Sequence, residues 1–377
     1  MKPYMNNIQV AEQILCHVKN ATTDQGDKVW REPVENYCSE NRFQKELTLL
    51  KQSLIAICPS ASLVKKGDFI TQNVVGVPLI VVRGQDQKIR AFINACRHRG
   101  TQLVSESGCK KAFVCPYHGW VYRLDGRLQA IPHEQGFPDF DKSEHGLVEV
   151  NVVEQCGLVF VQQDAETKPS NPLKGLPTLL QPSQIIISKN EAMVEANWKI
   201  YLESFLEGYH IKFAHPDTFY PFGYDNLNVI EFCGPHARIT FPFRRVESLI
   251  DVKPSERDVS GRLTYVYHLF PNVIVAVLSH HTNVIILEPV NLYSTRTTVY
   301  QLTNPTKDGD QQAALESAKR DLSFVTETGA LEDLALVRSI QQSIDSGAND
   351  VFTFGHFEPA IVHFHQYLSE QLTGGTL

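Results

Sequence analysis

Two groups of residues in this 377-residue chain have types and spacings that suit metal chemistry. The first is Cys96 and His98 in CRHRG with Cys115 and His118 in CPYHGW. A single cysteine or histidine usually reads as a buried thiol or a solvated imidazole. Two close pairs, each where a strand-like run gives way to a tight loop, instead bring four ligand atoms to one point. Zinc accepts two cysteines and two histidines at similar spacings. The order argues for another metal: a zinc finger places its cysteines first and its histidines on a following helix, whereas both pairs here run Cys, then His. Such loops suit a [2Fe–2S] cluster with one iron on two thiolates and the other on two neutral imidazoles. Pro116, Gly100 and Gly119 permit tight loops whose amides can face sulfur. Cys109, between the pairs, matches no ligand position and reads as structural.

The second group lies in ANWKIYLESFLEGYHIKFAHP, residues 196–216. Helical spacing predicts an apolar face of Trp198, Tyr201, Leu202, Phe205 and Tyr209 within a helix over 197–215. Glu203, Glu207 and His210 form a polar stripe. His215 falls roughly 140° around a regular helix from His210. Both imidazoles meet one metal only if the helix ends or bulges between them, and Pro216 favours an end. Alone, these carboxylates read as solvated and the histidines as incidental. A one-electron cluster in the same chain changes that reading, because its electrons need a destination. A two-histidine, one-carboxylate iron(II) site with open positions for dioxygen supplies it.

The elements that must position these groups fall into three stretches. Residues 1–45 read as a helical segment packing on the catalytic part. Residues 46–165 show short β-rich runs such as LIVVRG (79–84) and GLVFVQQ (157–163), punctuated by Gly67-Asp68 and Asp125-Gly126, which predicts a small antiparallel all-β domain. Pro169, Pro172, Gly175, Pro177 and Pro182 form a connector. Residues 166–377 mix strands near 237–247, 263–270, 272–279, 283–289 and 295–302 with a long helical stretch, 311–346, interrupted near Gly329. Strands followed by a long helix imply an α+β domain with an antiparallel sheet and packed helices.

Composition excludes several classes. The net charge is −7 without a long basic block, which argues against tracking nucleic-acid phosphates. No apolar run reaches the roughly 18 residues of a membrane span, and the N-terminus has no signal-peptide pattern, so the expected compartment is the cytoplasm. There the 8 cysteines read as thiols or metal ligands rather than disulfides.

CRHRG with CPYHGW resembles the Rieske motif of the ring-hydroxylating and quaternary-amine oxygenases. The segment NWKIYLESFLEGYHIKFAHP resembles that family's mononuclear-iron signature. The resemblance implies an all-β Rieske domain followed by a helix-grip, START-like catalytic domain. It also implies that Cys96 and Cys115 bind one cluster iron, that His98 and His118 bind the other, and that His210 and His215 bind a mononuclear Fe(II). The third ligand in the family is an aspartate in a Glu-Asp context, which selects Asp333 in LEDLALVRSIQQ over Asp321 in AKRDLSF. Glu207 takes the position of a carboxylate that carries electrons between subunits, linking its own chain's His210 to His118 of the partner subunit in a head-to-tail homotrimer. Asn197 is either a residue close behind the iron ligands or a helix cap.

The implied activity is a terminal oxygenase, most simply a monooxygenase, using O2 and electrons from NAD(P)H through a separate reductase, since the chain shows no GxGxxG or flavin-binding pattern. The aromatic loop PDTFYPFGYDN (216–226) with Phe241, Phe243, Tyr265 and Tyr267 could cage a quaternary ammonium by cation–π attraction, although strand aromatics usually fill cores. A betaine- or carnitine-like substrate is expected, with an aromatic acid or ring as the alternative. A Rieske electron-transfer protein is the non-enzyme alternative, and it leaves the second iron motif without a purpose.

Overall fold

Chain segments rich in Val, Ile and Phe build two units, which a computed structural model describes over residues 2–164, 166–305, 309–327 and 329–374. One compact unit is Leu50–Ser170; the other joins Met1–Leu49 to Asn171–Leu377.

The Leu50–Ser170 unit is an antiparallel sheet in the order Ile55–Pro59, Leu158–Gln162, Glu149–Gln155, Ile89–Ile93, Val77–Arg83, Asp68–Val74 and Gly108–Cys109. A smaller sheet, Ala112–Val114, Val121–Arg123 and Leu128–Ala130, carries the CPYHGW loop as a hairpin connection. Phe69, Phe92, Phe113, Trp120 and Tyr122 form a core that includes Cys96 and Cys115. The loops bearing the cysteines are therefore anchored by apolar burial, the main stabilising term in such a small unit.

In the other unit the seven strands run Ile186–Val194, Ser294–Thr303, His281–Asn291, Val273–Val277, Leu263–Leu269, His236–Pro242 and Val229–Cys233, all antiparallel. Helix Pro359–Thr373 buries Ala360, Ile361, Phe364 and Leu368 in a core with Trp198, Leu202, Ile239 and Leu287. Sheet and packed helices match the expected α+β class. The N-terminal helix Asn7–Asn20 starts with a capping box between Asn6 and Gln9 and buries Val10, Ala11 and Ile14 beside Leu227 and Val246. Strand Trp30–Pro33 pairs with Val351–Phe354.

Two expected elements differ, and a third parts where expected, near Gly329. The strand expected over 237–247 ends at Pro242 and turns into a 3₁₀ segment, Arg244–Leu249. The helical stretch 311–346 resolves into helices Gln311–Glu327 and Gly329–Ser343 and a 3₁₀ turn, Ile344–Ser346; residue 328, where they part, lies outside the described residues. The helix expected over 197–215 is broken, with consequences for the site. Among the described residues no helix is long and apolar enough to cross a membrane.

Candidate metal centres and substrate cavity

The two cysteine–histidine loops share one backbone frame. Cys96 N–H donates to Thr101 O and Gly100 N–H to Cys96 O; Cys115 N–H donates to Trp120 O and Gly119 N–H to Cys115 O. Gly100 and Gly119 close both frames at φ +76° and +71°, a region costly for residues with a Cβ. The histidines sit at different places in this frame, two residues after Cys96 and three after Cys115. Their Nδ1 atoms nevertheless come within 3.1 Å of each other. Trp120 stacks on His98 with the ring planes 12° apart, which fixes one imidazole.

The cysteines are buried while His98 is half-buried and His118 exposed. This separates the ligands into an inner sulfur pair and an outer nitrogen pair, a donor set that fits a mixed-ligand [2Fe–2S] cluster. Burial and the adjacent Cys115 push the Cys96 thiol up, so a thiolate there needs a cation beside it. Burial, His118 and Arg99 hold His98 below the ordinary imidazole value, in the neutral form that ligates. Tyr122, which the sequence reading passed over, places its hydroxyl 3.3 Å from Cys96 Sγ and accepts the Arg97 N–H. Cys109 is exposed on a short edge strand with its thiol toward Lys66 O, apart from this core.

In the segment 196–216 the helix runs only from Trp198 to Glu203. Its end tightens through short bonds from Phe205 N–H to Leu202 O and from Leu206 N–H to Glu203 O. Glu203 does not share a solvated stripe with Glu207: it accepts from Tyr37 Oη at 2.8 Å and meets His365 Nε2 at 2.8 Å, buried. Gly208 follows where a Cβ would stand 2.9 Å from the Phe241 ring, so the chain passes that ring at glycine's minimum distance. A four-residue helix, Ile211–Ala214, then forms with His210 at its start and His215 at its end. Helical phase is lost at Glu203, and with it the expected face: Tyr209 is 54% exposed.

His210, His215 and Asp333 offer ligand atoms that all lie within 4.8 Å of one another. Asp333 Oδ1 is 2.9 Å from His215 Nε2 and 3.7 Å from His210 Nε2. The opposite nitrogens are also held. Glu207 bonds His210 Nδ1 and accepts from the backbone N–H of Tyr209 and His210; Glu332 meets His215 Nδ1 at 2.7 Å and accepts Thr218 Oγ1 at 2.8 Å. Carboxylates behind both imidazoles fix their tautomers with Nε2 facing the shared point, the usual support of a metal-binding histidine. Burial lowers both imidazoles, yet Glu207 and Asp333 leave His210, and Asp333 and Glu332 leave His215, above the ordinary value. Two nitrogens and one carboxylate on one side of a point suit an iron(II) with open positions. Asp321 lines the cavity beside this group but is not part of it, and lies 2.8 Å from His281 Nδ1. Glu332 was visible in the sequence only as Asp333's neighbour.

Asn197, Trp198 and Lys199 hold the frame. Asn197 caps the helix by accepting the Lys199 N–H, and its amide donates to Tyr37 O and Leu292 O. Its backbone N–H donates to Gln341 Oε1 at 2.7 Å, tying this helix to the one bearing Asp333. Trp198 Nε1 and Lys199 Nζ both donate to Glu46, at 2.9 and 2.8 Å, with Lys199 and Glu46 buried.

A cavity of about 400 Å³ meets the His210–His215–Asp333 point. Phe219, Phe222, Tyr224, Phe241 and Phe243 line it, but Tyr265 and Tyr267 do not. Strand alternation gives the reason: Thr264 and Val266 face the cavity, and Phe241 pairs with Thr264, so Tyr265 and Tyr267 point to the other face. There they cover Arg238, whose guanidinium lies 5.2 and 5.8 Å from their ring centres.

Residues 185–374 match the ring hydroxylating alpha subunit (catalytic domain), and residues 53–141 match the Rieske [2Fe–2S] domain. The carnitine monooxygenase oxygenase subunit of Escherichia coli (strain K12) is 28% identical, covering 91% of this chain and 94% of that protein. The glycine betaine monooxygenase oxygenase subunit of Pseudomonas aeruginosa (strain UCBPP-PA14) is 36% identical over 49% of this chain and 44% of that one. The crystal structure of the quaternary ammonium Rieske monooxygenase CntA with L-carnitine superposes with a TM-score of 0.75 at 22% identity, covering 98% and 99% of the two chains. Naphthalene 1,2-dioxygenase with indole gives 0.74 at 19% identity, covering 91% and 92%; both establish the fold. With two ligand sets of the right chemistry on that fold, the chain belongs to the ring-hydroxylating alpha-subunit family, as a member with both a Rieske and a catalytic domain.

Proposed function

We propose that this chain is the terminal oxygenase of a system with a separate NAD(P)H-dependent reductase, and that it hydroxylates a small quaternary ammonium or amine at a carbon bonded to nitrogen. The observation that carries the substrate class is the ring-lined cavity at the triad, because ring faces hold a cation that has no hydrogen to donate. The relatives named for carnitine and glycine betaine support the same class.

Iron held by His210, His215 and Asp333 would activate dioxygen, with electrons supplied through a cluster on Cys96, Cys115, His98 and His118. The protein's own part is positional. Glu207 and Glu332 hold the two imidazoles, and the apolar lining keeps water from competing with the substrate. In this reading Glu207 also receives the partner subunit's His118, so that the working form is a head-to-tail trimer in the cytoplasm. Glu207 suits that role, since its own loop already fixes it against His210. Hydroxylation next to nitrogen gives a product that collapses with C–N cleavage.

A single turnover tests the proposal. Chemically reduced protein, freed of reductant, receives oxygenated buffer with betaines, carnitines, tertiary amines or aromatic acids. Oxygen insertion or loss of an N-alkyl group in the cationic set is expected by mass spectrometry. Products from the aromatic acids alone would replace the substrate class while keeping the oxygenase.

A further inference from the structure

One cation in the lining of the cavity makes no direct ion pair among the described residues. Three carboxylates line it among the described residues, Glu207, Asp333 and Asp321, and each is committed to an imidazole: His210, His215 and His281. Among the described residues one guanidinium lines it, that of Arg245, and no ammonium does. Arg245 donates to Ser279 Oγ at 2.7 Å, and its guanidinium rests 4.6 Å from the centre of the Phe243 ring. Ser279 lines the same cavity. Among the described residues no carboxylate hydrogen-bonds Arg245, although Asp321 of the same lining is near enough to favour its charge.

Its neighbours show the contrast. Arg244 lies over the rings of Tyr220 and Tyr224, and Arg262 donates to Ser248 Oγ and Asp258 O. Arg262 is also near enough to add like charge to Arg245, and Asp321 to offset part of it. A bare quaternary ammonium gains nothing from this corner, since ring faces attract it and a guanidinium repels it. A carboxylate gains a forked, charge-assisted pair from Arg245.

We infer that Arg245, with Ser279 beside it, binds a carboxylate of the substrate, so that the substrate is a small carboxylate of the betaine type and not an amine or amino alcohol lacking one. The inference deepens the proposed function and rests on that reading for the cationic part alone. The triad takes the carbon beside nitrogen while Arg245 takes the acid, which orients the molecule along the cavity.

The test is calorimetric binding to the iron-loaded full chain, using two pairs of ligands: a trimethylammonium carboxylate with its methyl ester, and an aromatic carboxylate with its methyl ester. The unchanged protein is expected to prefer the betaine acid over its ester by about tenfold or more, the range of one charged pair. Arg245→Gln should bring that ratio near unity, and Arg245→Lys should restore part of it. Arg245 is exposed, so these variants keep the fold. Dependence on Arg245 for the aromatic acid alone supports the carboxylate site and overturns the quaternary-ammonium reading. Betaine binding with the same acid-to-ester ratio in the Gln variant overturns the carboxylate site and leaves that reading standing. No preference for either acid over its ester also overturns the inference.

Discussion

In the Leu50–Ser170 unit the four proposed cluster ligands stand on two loops that repeat one set of backbone hydrogen bonds, each closed by a glycine four residues after a cysteine. In the other unit the three proposed iron ligands stand on a broken helix and on a second helix far downstream, and none of the local bonds between His210 and His215 specifies where Asp333 will be. The first site is held by short-range backbone geometry. The second is held by tertiary bonds: Gln341 to the Asn197 amide, Glu46 to Trp198 and Lys199, and Glu332 to His215. Sites of the second kind are sensitive to residues that never touch the metal.

The largest effect expected from this contrast is loss of one metal alone. Asp333→Ala should lower iron from about three atoms per chain to about two, with the cluster spectrum unchanged and turnover abolished. Asp321→Ala should leave all three, and the opposite result would move the third ligand to Asp321. Next comes the buried pair. Lys199→Met leaves buried Glu46 with Arg42 as its remaining cation and should cost about 1–3 kcal/mol in chemical denaturation of the catalytic unit, less than the about 3–5 kcal/mol of a fully broken buried pair. An unchanged denaturation midpoint would mean that the N-terminal segment does not brace this helix.

Glu332→Gln should weaken the mononuclear iron by about 10- to 100-fold in a chelator competition, while the cluster resists chelation as before. Retention equal to the parent protein would show that His215 needs no support from behind. A pH effect follows in size. His236 accepts the Phe270 N–H on Nδ1 and donates from Nε2 to Pro172 O, and His268 donates from Nε2 to Pro271 O, so both are neutral. Burial drives them down to about 4 and about 3. The folded state then binds fewer protons than the unfolded one, so their contribution is complete above about pH 6.5 and is lost as pH falls. Each histidine removes roughly 1.4 kcal/mol per pH unit below that point. A urea midpoint that is flat from pH 6.5 to 5 would contradict this. The smallest effect belongs to the local frame: Gly100→Ala meets no atom within 4 Å and should cost only the left-handed backbone penalty, about 1–2 kcal/mol, read in thermal melting of the Rieske unit.

The same contrast explains what the sequence made legible. The approach of the loops bearing Cys96, His98, Cys115 and His118 could be read because their geometry is encoded within six residues of each cysteine. Residue types and sheet patterning likewise pointed to the α+β unit. The helix break after Glu203 could not be read from periodicity, since it depends on bonds from Tyr37 and His365, distant in the chain, and on the Phe241 ring at Gly208. Whether Tyr265 and Tyr267 face the cavity is illegible in the sequence for a related reason. Alternation shows that they share a face, but only the pairing of Phe241 with Thr264 shows which face it is. Glu332 and Tyr122 lacked any spacing signal, because each acts across long range on a single ligand atom.

The matched frames of the two loops have a use beyond holding this cluster. Cysteine and glycine set the frame, while histidine occupies its third place in one loop and its fourth in the other, so the frame does not dictate where a ligand is mounted. The loop pair is thus a socket with exchangeable contacts. Swapping imidazole for thiolate at His98 and His118 would retain the socket and trade a high-potential centre for one nearer the all-cysteine ferredoxins, making the voltage of this unit an adjustable property of two side chains.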